Sequence, residues 1–219
     1  MNFSFLDKYS GYFLKGTEIT IVLAFFAVLL GTILGLVLTL LRRSSFKPIS
    51  IIATAYVEFV RGTPLLVQIY IIYIGLPNLI GVDMPDMTVG AVALALNSAA
   101  YISEIIRAGI DAVDKGQMEA ARSLGMNQGL AMFYVVIPQA FKNILPALGN
   151  EFVSVIKESS MVSVIGVAEL MYNAGVVRGN TALGLEPVVV AAVIYFILTF
   201  TMTRGLGYVE RRMKASDIR

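Results

Sequence analysis

The stretch that decides the fold is TEITIVLAFFAVLLGTILGLVLTLL, residues 17–41, which carries one charged side chain, Glu18, near its beginning. A helix of about 20 apolar residues is long enough to cross the roughly 30 Å hydrocarbon layer of a bilayer. Four further segments of similar character follow along the chain: 49–80, 87–106, 137–157 and 187–207. We therefore predict an all-α membrane protein with about five transmembrane helices, in a single domain over residues 1–219.

The composition supports a polytopic membrane protein and excludes several classes of enzyme. Hydrophobic residues make up 57% of the chain and charged residues only 15%, which leaves too little polar surface for a water-soluble domain. The chain contains no Cys and no His. Without them it has no disulfide, no thiolate nucleophile, and neither the commonest general base nor the commonest neutral metal ligand. We expect no metal site and no catalysis on this chain.

The second apolar segment is interrupted by RGTP, residues 61–64. Gly62 and Pro64 disfavour a continuous helix, so we expect one bent or discontinuous span broken near 62–64. Glu58 and Arg61 lie three residues apart beside this break. Because side chains at that spacing meet on one helix face, they are predicted to form a structural ion pair.

The distribution of Lys and Arg predicts the orientation. Cytoplasmic loops carry an excess of basic residues, and an odd number of spans places the two termini on opposite sides. With the amino terminus outside, three loop residues, Lys8, Lys15 and Arg178, fall outside. Eleven fall on the cytoplasmic side: Arg42, Arg43, Lys47, Arg107, Lys115, Arg122, Arg204, Arg211, Arg212, Lys214 and Arg219. We therefore expect the amino terminus outside and the carboxyl terminus inside.

The loop between the third and fourth spans contains a short predicted helix. Asp114 followed by Gln117 is typical of a capping box, so the helix should begin near Lys115. Gly125 suits a left-handed carboxyl-terminal cap. Small side chains at 120–121 should leave part of the surface flat enough to enter a groove on a partner. The alternative interpretation is an ordinary amphipathic helix lying in the membrane interface.

The spacing of this loop resembles a known motif. Glu119-Ala120-Ala121, three residues, Gly125, nine residues and Val135-Val136-Ile137-Pro138 are similar to the EAA loop of ABC importer permeases. Other parts of the chain resemble the polar-amino-acid branch of that family, which comprises the arginine, glutamine and histidine uptake permeases. They are the carboxyl-terminal ERR and four longer segments: RGTPLLVQ (61–68), ALNSAAYISEIIRAGI (95–110), KGQMEAARSLGM (115–126) and PQAFKNILPALGNEF (138–152).

The resemblance implies a type I ABC importer permease in a bacterial cytoplasmic membrane. Residues about 111–132 would form the coupling loop, whose contacts with a dimer of ATP-binding cassette subunits would come from Glu119, Ala120, Ala121, Ser123 and Gly125. ATP and Mg would be bound by those subunits, and the chain itself has no GxxxxGK[ST] phosphate loop. The other implied partners are a second copy or paralogue of the permease, an external solute-binding protein and the lipid bilayer, with no nucleic acid.

Charges at the end of the fourth span mark a candidate solute site. At about 100° per residue, the side chains of one stretch share an arc of about 120°: Asn150, Glu151, Ser154, Lys157 and Glu158. Ionisable groups within a membrane are costly and usually face a cavity or one another. The arc is therefore predicted to point inward.

The third span offers a facing surface at Asn97 and Ser98. Glu151 suits an ammonium or guanidinium group of a solute, and Lys157 suits a carboxylate. The family resemblance assigns solute binding to Asn97, Ser98, Glu151 and Lys157, and Asn150 and Ser154 share their arc. Two alternatives remain open: Glu151 and Lys157 pair with each other, or Lys157 and Glu158 lie in water at the outer interface.

Two other functions compete with an ATP-driven importer. An ion-coupled secondary transporter or channel would use Glu58, Glu104, Glu151 and Lys157 for ions or protons. This function explains the buried charges but not the loop. An intramembrane hydrolase would have to rely on a Ser/Lys pair such as Ser154 and Lys157. A pocket with both charge signs suits several amino acids, among them arginine, glutamine, glutamate, cystine and histidine.

Overall fold

The computed structural model describes the backbone of residues 2–215 and the side chains of residues 2–213. Within these residues the chain is helical and has no strand. The helices are α1 Leu6–Arg42, α2 Lys47–Gly62, α3 Leu65–Ile80, α4 Asp86–Asp111, α5 Lys115–Ser123, α6 Gln128–Ala131, α7 Ile137–Glu158, α8 Leu170–Thr181 and α9 Glu186–Ala215. A π-helical turn, Met132–Val136, joins α6 to α7, and a 3₁₀ turn, Ser159–Ile165, extends α7.

Four of the described helical segments are long and apolar enough to cross a membrane, or five if the bent pair α2 and α3 counts as one span. They are α1, α4, the continuous segment from α6 to the 3₁₀ turn, and α9. The prediction of an all-helical protein with about five spans is confirmed. We call the end of the bundle that carries α5 the α5 end, and the opposite end, which carries α8, the α8 end.

The chain bends by 116° between α2 and α3. Thr63 and Pro64 are extended, with ψ angles of 150° and 135°, so the helix cannot continue through them. Pro64 also has no N–H for the carbonyl of Val60, four residues earlier. Gln68 replaces the missing donor, because its Nε2 lies 2.7 Å from the Val60 carbonyl oxygen and 3.1 Å from that of Thr63. The hydrogen bonds of the Gln68 side chain therefore stabilise the break.

The core forms where α1 packs in parallel against α4. A Cβ atom on Gly35 would lie 2.9 Å from the carbonyl oxygen of Ala99, so only glycine permits this approach. Thr39 donates a hydrogen bond to the carbonyl of Gly35 at 2.8 Å and lies 3.2 Å from that of Ser103. Close contacts between small residues are the usual way in which membrane helices associate.

α7 packs antiparallel to α4 along its length. Gly109 lies against Ile144 near the α5 end, and Gly90 lies against Val162 near the α8 end. Ser98 faces α7 between these two contacts. The middle of the α4–α7 interface therefore holds a polar contact between the two helices.

α1 begins eleven residues earlier than the apolar run 17–41 indicated. The additional turns bury Phe13, and Phe5 just before them, against Leu170 and Val177 of α8. α8 itself lies in the segment between the fourth and fifth predicted spans. The early start of α1 therefore follows from packing against α8.

Glu169 caps the amino terminus of α8 and is completely buried. Its carboxylate accepts hydrogen bonds from the backbone N–H groups of Met171, at 2.9 Å, and Tyr172, at 2.7 Å. The Tyr195 hydroxyl of α9 donates a third at 2.6 Å. A carboxylate suits a helix amino terminus because the free N–H groups there need acceptors. Glu169 thereby ties α8 to α9.

Candidate functional site

The centre of the candidate solute site is a hydrogen bond between α4 and α7. Ser98 is fully buried, and its Oγ donates to Oε1 of Glu151 at 2.9 Å. α1 closes one side of this pair, because a Cβ atom on Gly31 would lie 3.0 Å from that of Ser98. Glu151 is half-buried. The structure brings these two predicted site residues together.

Asn97 lies next to Ser98 but faces the break in the second span. Its Nδ2 donates to Oε1 of Gln68 at 2.9 Å, and it is 4% exposed. Gln68 in turn donates to Oγ1 of Thr63 at 2.9 Å and to the Val60 carbonyl. Asn97 therefore holds the break against α4.

The remaining residues of the predicted arc lie on α7 at different depths. Asn150 and Lys157 are exposed, whereas Ser154 and Glu158 are half-buried. Among the described residues no ion pair within 4.0 Å joins Glu151 to Lys157. Glu151 is therefore held by Ser98 and not by the lysine on its own helix.

A second polar cluster surrounds Glu104 on α4. Its carboxylate lies 3.1 Å from Arg42 of α1 and 3.8 Å from Arg61 of α2, and it also pairs with Arg107 one turn along α4. The predicted ion pair between Glu58 and Arg61 does not form in the described part of the chain. Arg61 turns instead to the carboxylate on the neighbouring helix, and its guanidinium lies 5.8 Å from the ring centre of Tyr101.

α5 is a short helix with well-defined ends. Oδ1 of Asp114 accepts a hydrogen bond from the N–H of Gly116 at 2.6 Å. At the other end Gly125 has a φ angle of +89°. The N–H of Gly125 donates to the Arg122 carbonyl at 3.0 Å and that of Met126 to the Ala121 carbonyl at 3.1 Å, which is a Schellman motif. The helix begins at Lys115, as its capping residue predicts, and ends before a left-handed glycine.

The two alanines of α5 face different surroundings. Ala121 is 4% exposed and packs within the chain, so it cannot form part of a flat surface offered to a partner. Ala120, Glu119, Ser123 and Gly125 are exposed. Leu124, at the carboxyl end of the helix, is 87% exposed. The free surface of α5 therefore consists of small and polar side chains with one prominent leucine.

A direct contact joins α5 to the fourth span. Nε2 of Gln139 in the first turn of α7 donates to Oε1 of Gln117 at 3.2 Å and to the Val135 carbonyl at 3.0 Å. The Gln117 side chain thus contacts the span, and the capping of α5 rests on Asp114. Since helix continues from α6 through the π turn to α7, α5 contacts the same helix that carries Glu151.

Sequence reasoning missed Gln68, Gln139 and Glu169. Gln68 follows the Pro64 break at the distance of one helical turn, which was a usable signal. The bond of Gln139 to Gln117 and that of Glu169 to Tyr195 join different helices, so the sequence offered no local sign of those two contacts.

Comparison with known proteins identifies the family. Residues 11–215 match the family described as binding-protein-dependent transport system inner membrane component. The chain is 46% identical over 209 residues to the arginine transport system permease protein ArtQ of Bacillus subtilis, covering 94% of each protein. It is 39% identical over 217 residues to the probable glutamine ABC transporter permease protein GlnM of the same organism, covering 99% of this chain and 100% of the relative.

Solved structures agree with this result. The crystal structure of an amino acid ABC transporter with histidines contains a chain that is 50% identical, with a TM-score of 0.91, covering 97% of this chain and 100% of that chain. An inward-facing MetNI methionine ABC transporter shares the fold, with a TM-score of 0.74 at 17% identity. The resemblance to ABC importer permeases and the expected type I fold are both confirmed. The chain belongs to the family of binding-protein-dependent transport system inner membrane components.

Proposed function

We propose that this chain is the membrane-spanning permease subunit of an ATP-driven importer for a polar L-amino acid. The observation that carries the proposal is α5, a capped helix with an exposed outer surface, joined to the span that carries Glu151. The relatives that are permeases of arginine and glutamine transport systems support the substrate class. ATP and Mg belong to a separate ATP-binding cassette subunit.

Coupling would proceed through the contacts of α5. Its Asp114 cap and its Schellman closure at Gly125 make it a stiff unit that can move without unwinding. Closure of the ATPase dimer against the exposed surface at Glu119, Ala120, Ser123 and Leu124 would displace this unit. The displacement would pass through the π turn to α7 and change access to the solute site. Such alternating access needs two arrangements of packed helices and no covalent step.

The solute would bind at the middle of the α4–α7 interface. The half-buried Glu151 carboxylate, oriented by Ser98, would accept hydrogen bonds from an ammonium or guanidinium group. Lys157 lies six residues farther along α7 and is exposed, so it would meet the solute carboxylate at the approach to the site. A site near the bilayer midplane is typical of transporters.

The complete importer would hold two permease copies, or this chain and a paralogue, in a bacterial cytoplasmic membrane. We place the amino terminus and α8 outside, where an external binding protein would deliver the solute. α5 and the carboxyl terminus would lie inside, because the basic loop residues concentrate there.

Substitution of the two charged residues tests the solute site. Glu151→Gln keeps the volume and removes the charge, and a charge-assisted hydrogen bond is worth about 1.5–3 kcal/mol, or roughly ten- to hundredfold in apparent affinity. Lys157→Met should weaken carboxylate capture. Uptake of radiolabelled arginine, glutamine and histidine by proteoliposomes that hold the complete transporter measures both effects. Glu18→Gln, an exposed glutamate on α1, is the matched control.

Thermal unfolding of each variant separates binding from folding. We expect normal unfolding with reduced uptake for Glu151→Gln. Loss of folding in both single variants that the double variant restores would show a structural ion pair and would remove Glu151 from the solute site.

A further inference from the structure

A small basic cavity opens at the α5 end between α1, α2 and α4. It has a volume of about 150 Å³ and is lined by Thr39, Arg42, Arg43, Thr54 and Arg107. Three of its five lining residues are arginines. The cavity lies outside the solute site at Ser98 and Glu151 and outside the exposed surface of α5.

The charges around the cavity do not cancel. Glu104 is shared by Arg42, Arg61 and Arg107, and Arg107 also pairs with Asp111 at 2.7 Å. Arg43 is exposed and forms no ion pair within 4.0 Å among the described residues. The three arginines that line the cavity therefore have two carboxylates as partners, Glu104 and Asp111, and Arg61 also shares Glu104, which leaves an excess of positive charge. An anion at this place would offset that excess.

The position of the cavity along the spans points to the source of the anion. Arg42 and Arg43 directly follow Leu41, the last residue of the first apolar run. The apolar side chains beside this level are exposed: Leu40 is 63% exposed on α1, and Ile51 is 65% exposed on α2. The cavity therefore opens at the boundary between apolar and polar surface, where lipid headgroups lie.

We propose that this cavity binds the phosphate of an anionic phospholipid, such as phosphatidylglycerol, whose acyl chains lie along the exposed apolar faces of α1 and α2. Guanidinium groups bind phosphate oxygens in a two-pronged geometry, and basic pockets between transmembrane helices are suited to anionic headgroups. A volume of about 150 Å³ is below the roughly 300–1,000 Å³ of small-molecule pockets, so it accommodates a phosphate group better than a whole amino acid.

The bound phosphate would stabilise the junction between α1 and α2. Arg42 is the last residue of α1, Arg43 follows it, and Thr54 lies on α2, so one phosphate would connect two helices that are joined by a short turn. Ser50 already contacts this junction, because its Oγ donates to the Arg42 carbonyl at 2.7 Å. Anionic lipid is therefore expected to raise the thermal stability of the protein more than neutral lipid does.

The test compares three lipid conditions with the complete chain in nanodiscs: phosphatidylcholine alone, phosphatidylcholine with phosphatidylglycerol, and phosphatidylcholine with inorganic phosphate in the buffer. Native mass spectrometry gives the apparent affinity for phosphatidylglycerol, and thermal unfolding gives the stability. Arg43→Gln removes an arginine that has no ion pair in the described structure, so the Glu104 network stays intact. Arg211→Gln, an exposed arginine on α9, is the matched control for charge.

Arg43→Gln should lower the apparent affinity for phosphatidylglycerol by about fivefold, since one basic residue near an anionic surface contributes about that factor. Thr54→Val keeps the shape of the cavity wall and removes a hydroxyl group, and it should lower the affinity by about two- to tenfold. Arg211→Gln should change it by less than either. Equal effects of Arg43→Gln and Arg211→Gln would overturn the site. Equal stabilisation by inorganic phosphate in neutral lipid would overturn the assignment to lipid.

Discussion

Replacement of Gln68 by Leu should destabilise the break between α2 and α3. The Gln68 amide meets two groups that are almost completely buried: the Val60 carbonyl, whose helical donor Pro64 cannot supply, and Nδ2 of Asn97. Leu is close to Gln in size but leaves both groups without a partner. At about 1–2 kcal/mol for each stranded group, the expected loss is about 2–4 kcal/mol in the free energy of unfolding. Thr63 is half-buried, so water can replace the hydrogen bonds that its carbonyl and hydroxyl accept from Gln68.

The measurement is unfolding by SDS titration in mixed micelles, with Gln128→Leu as the control. Gln128 is exposed on α6, so its replacement should change the free energy of unfolding by less than about 0.5 kcal/mol. The double variant Gln68→Leu with Asn97→Leu should recover part of the loss, because Asn97 is then no longer stranded. A loss no larger in Gln68→Leu than in Gln128→Leu would refute the argument that the amide holds the break.

Three further predictions concern α5, the core and the orientation. Gly125→Val should reduce uptake per ATP hydrolysed, because a β-branched residue at a φ of +89° costs roughly 1–2 kcal/mol and distorts the end of α5. Unchanged uptake and unchanged ATP hydrolysis in vesicles would remove Gly125 from coupling. Gly35→Val should cost about 1–3 kcal/mol in unfolding experiments, because its side chain would meet α4, whereas Gly11→Ala, with no atom within 4 Å, should cost nothing. Single cysteines at Ser4 and Ser123 should react with a membrane-impermeant maleimide from opposite faces, and labelling from one face would contradict the orientation.

The spans were predictable because lipid imposes a strict length of apolar helix. The run that ends at Leu41 and the Pro64 break both marked real features of the fold. The start of α1 at Leu6 was not predictable, because it depends on Phe13 packing against α8. Packing partners from distant segments leave no periodic signal in the residues that need them.

The candidate site was predictable only in part, because some of its contacts also come from distant segments of the chain. The arc on α7 and the facing surface on α4 indicated that Ser98 and Glu151 could meet, and they do. Proximity in sequence was misleading for Arg61, because a carboxylate on another helix, Glu104, lies within its reach. The burial of Ala121 was likewise hidden, since small residues suit a partner surface and a close internal contact equally well.

The central claim is that a separate ATPase drives solute movement through this chain by way of α5. The most direct test is uptake of radiolabelled arginine, glutamine and histidine into proteoliposomes that contain the tagged chain together with the ATPase subunit and the binding protein from the same source. We expect uptake only with hydrolysable ATP on the side of α5, and no change when a protonophore and a sodium ionophore collapse the ion gradients. Uptake that proceeds without ATP and stops when those gradients collapse would contradict the account and would establish an ion-coupled transporter.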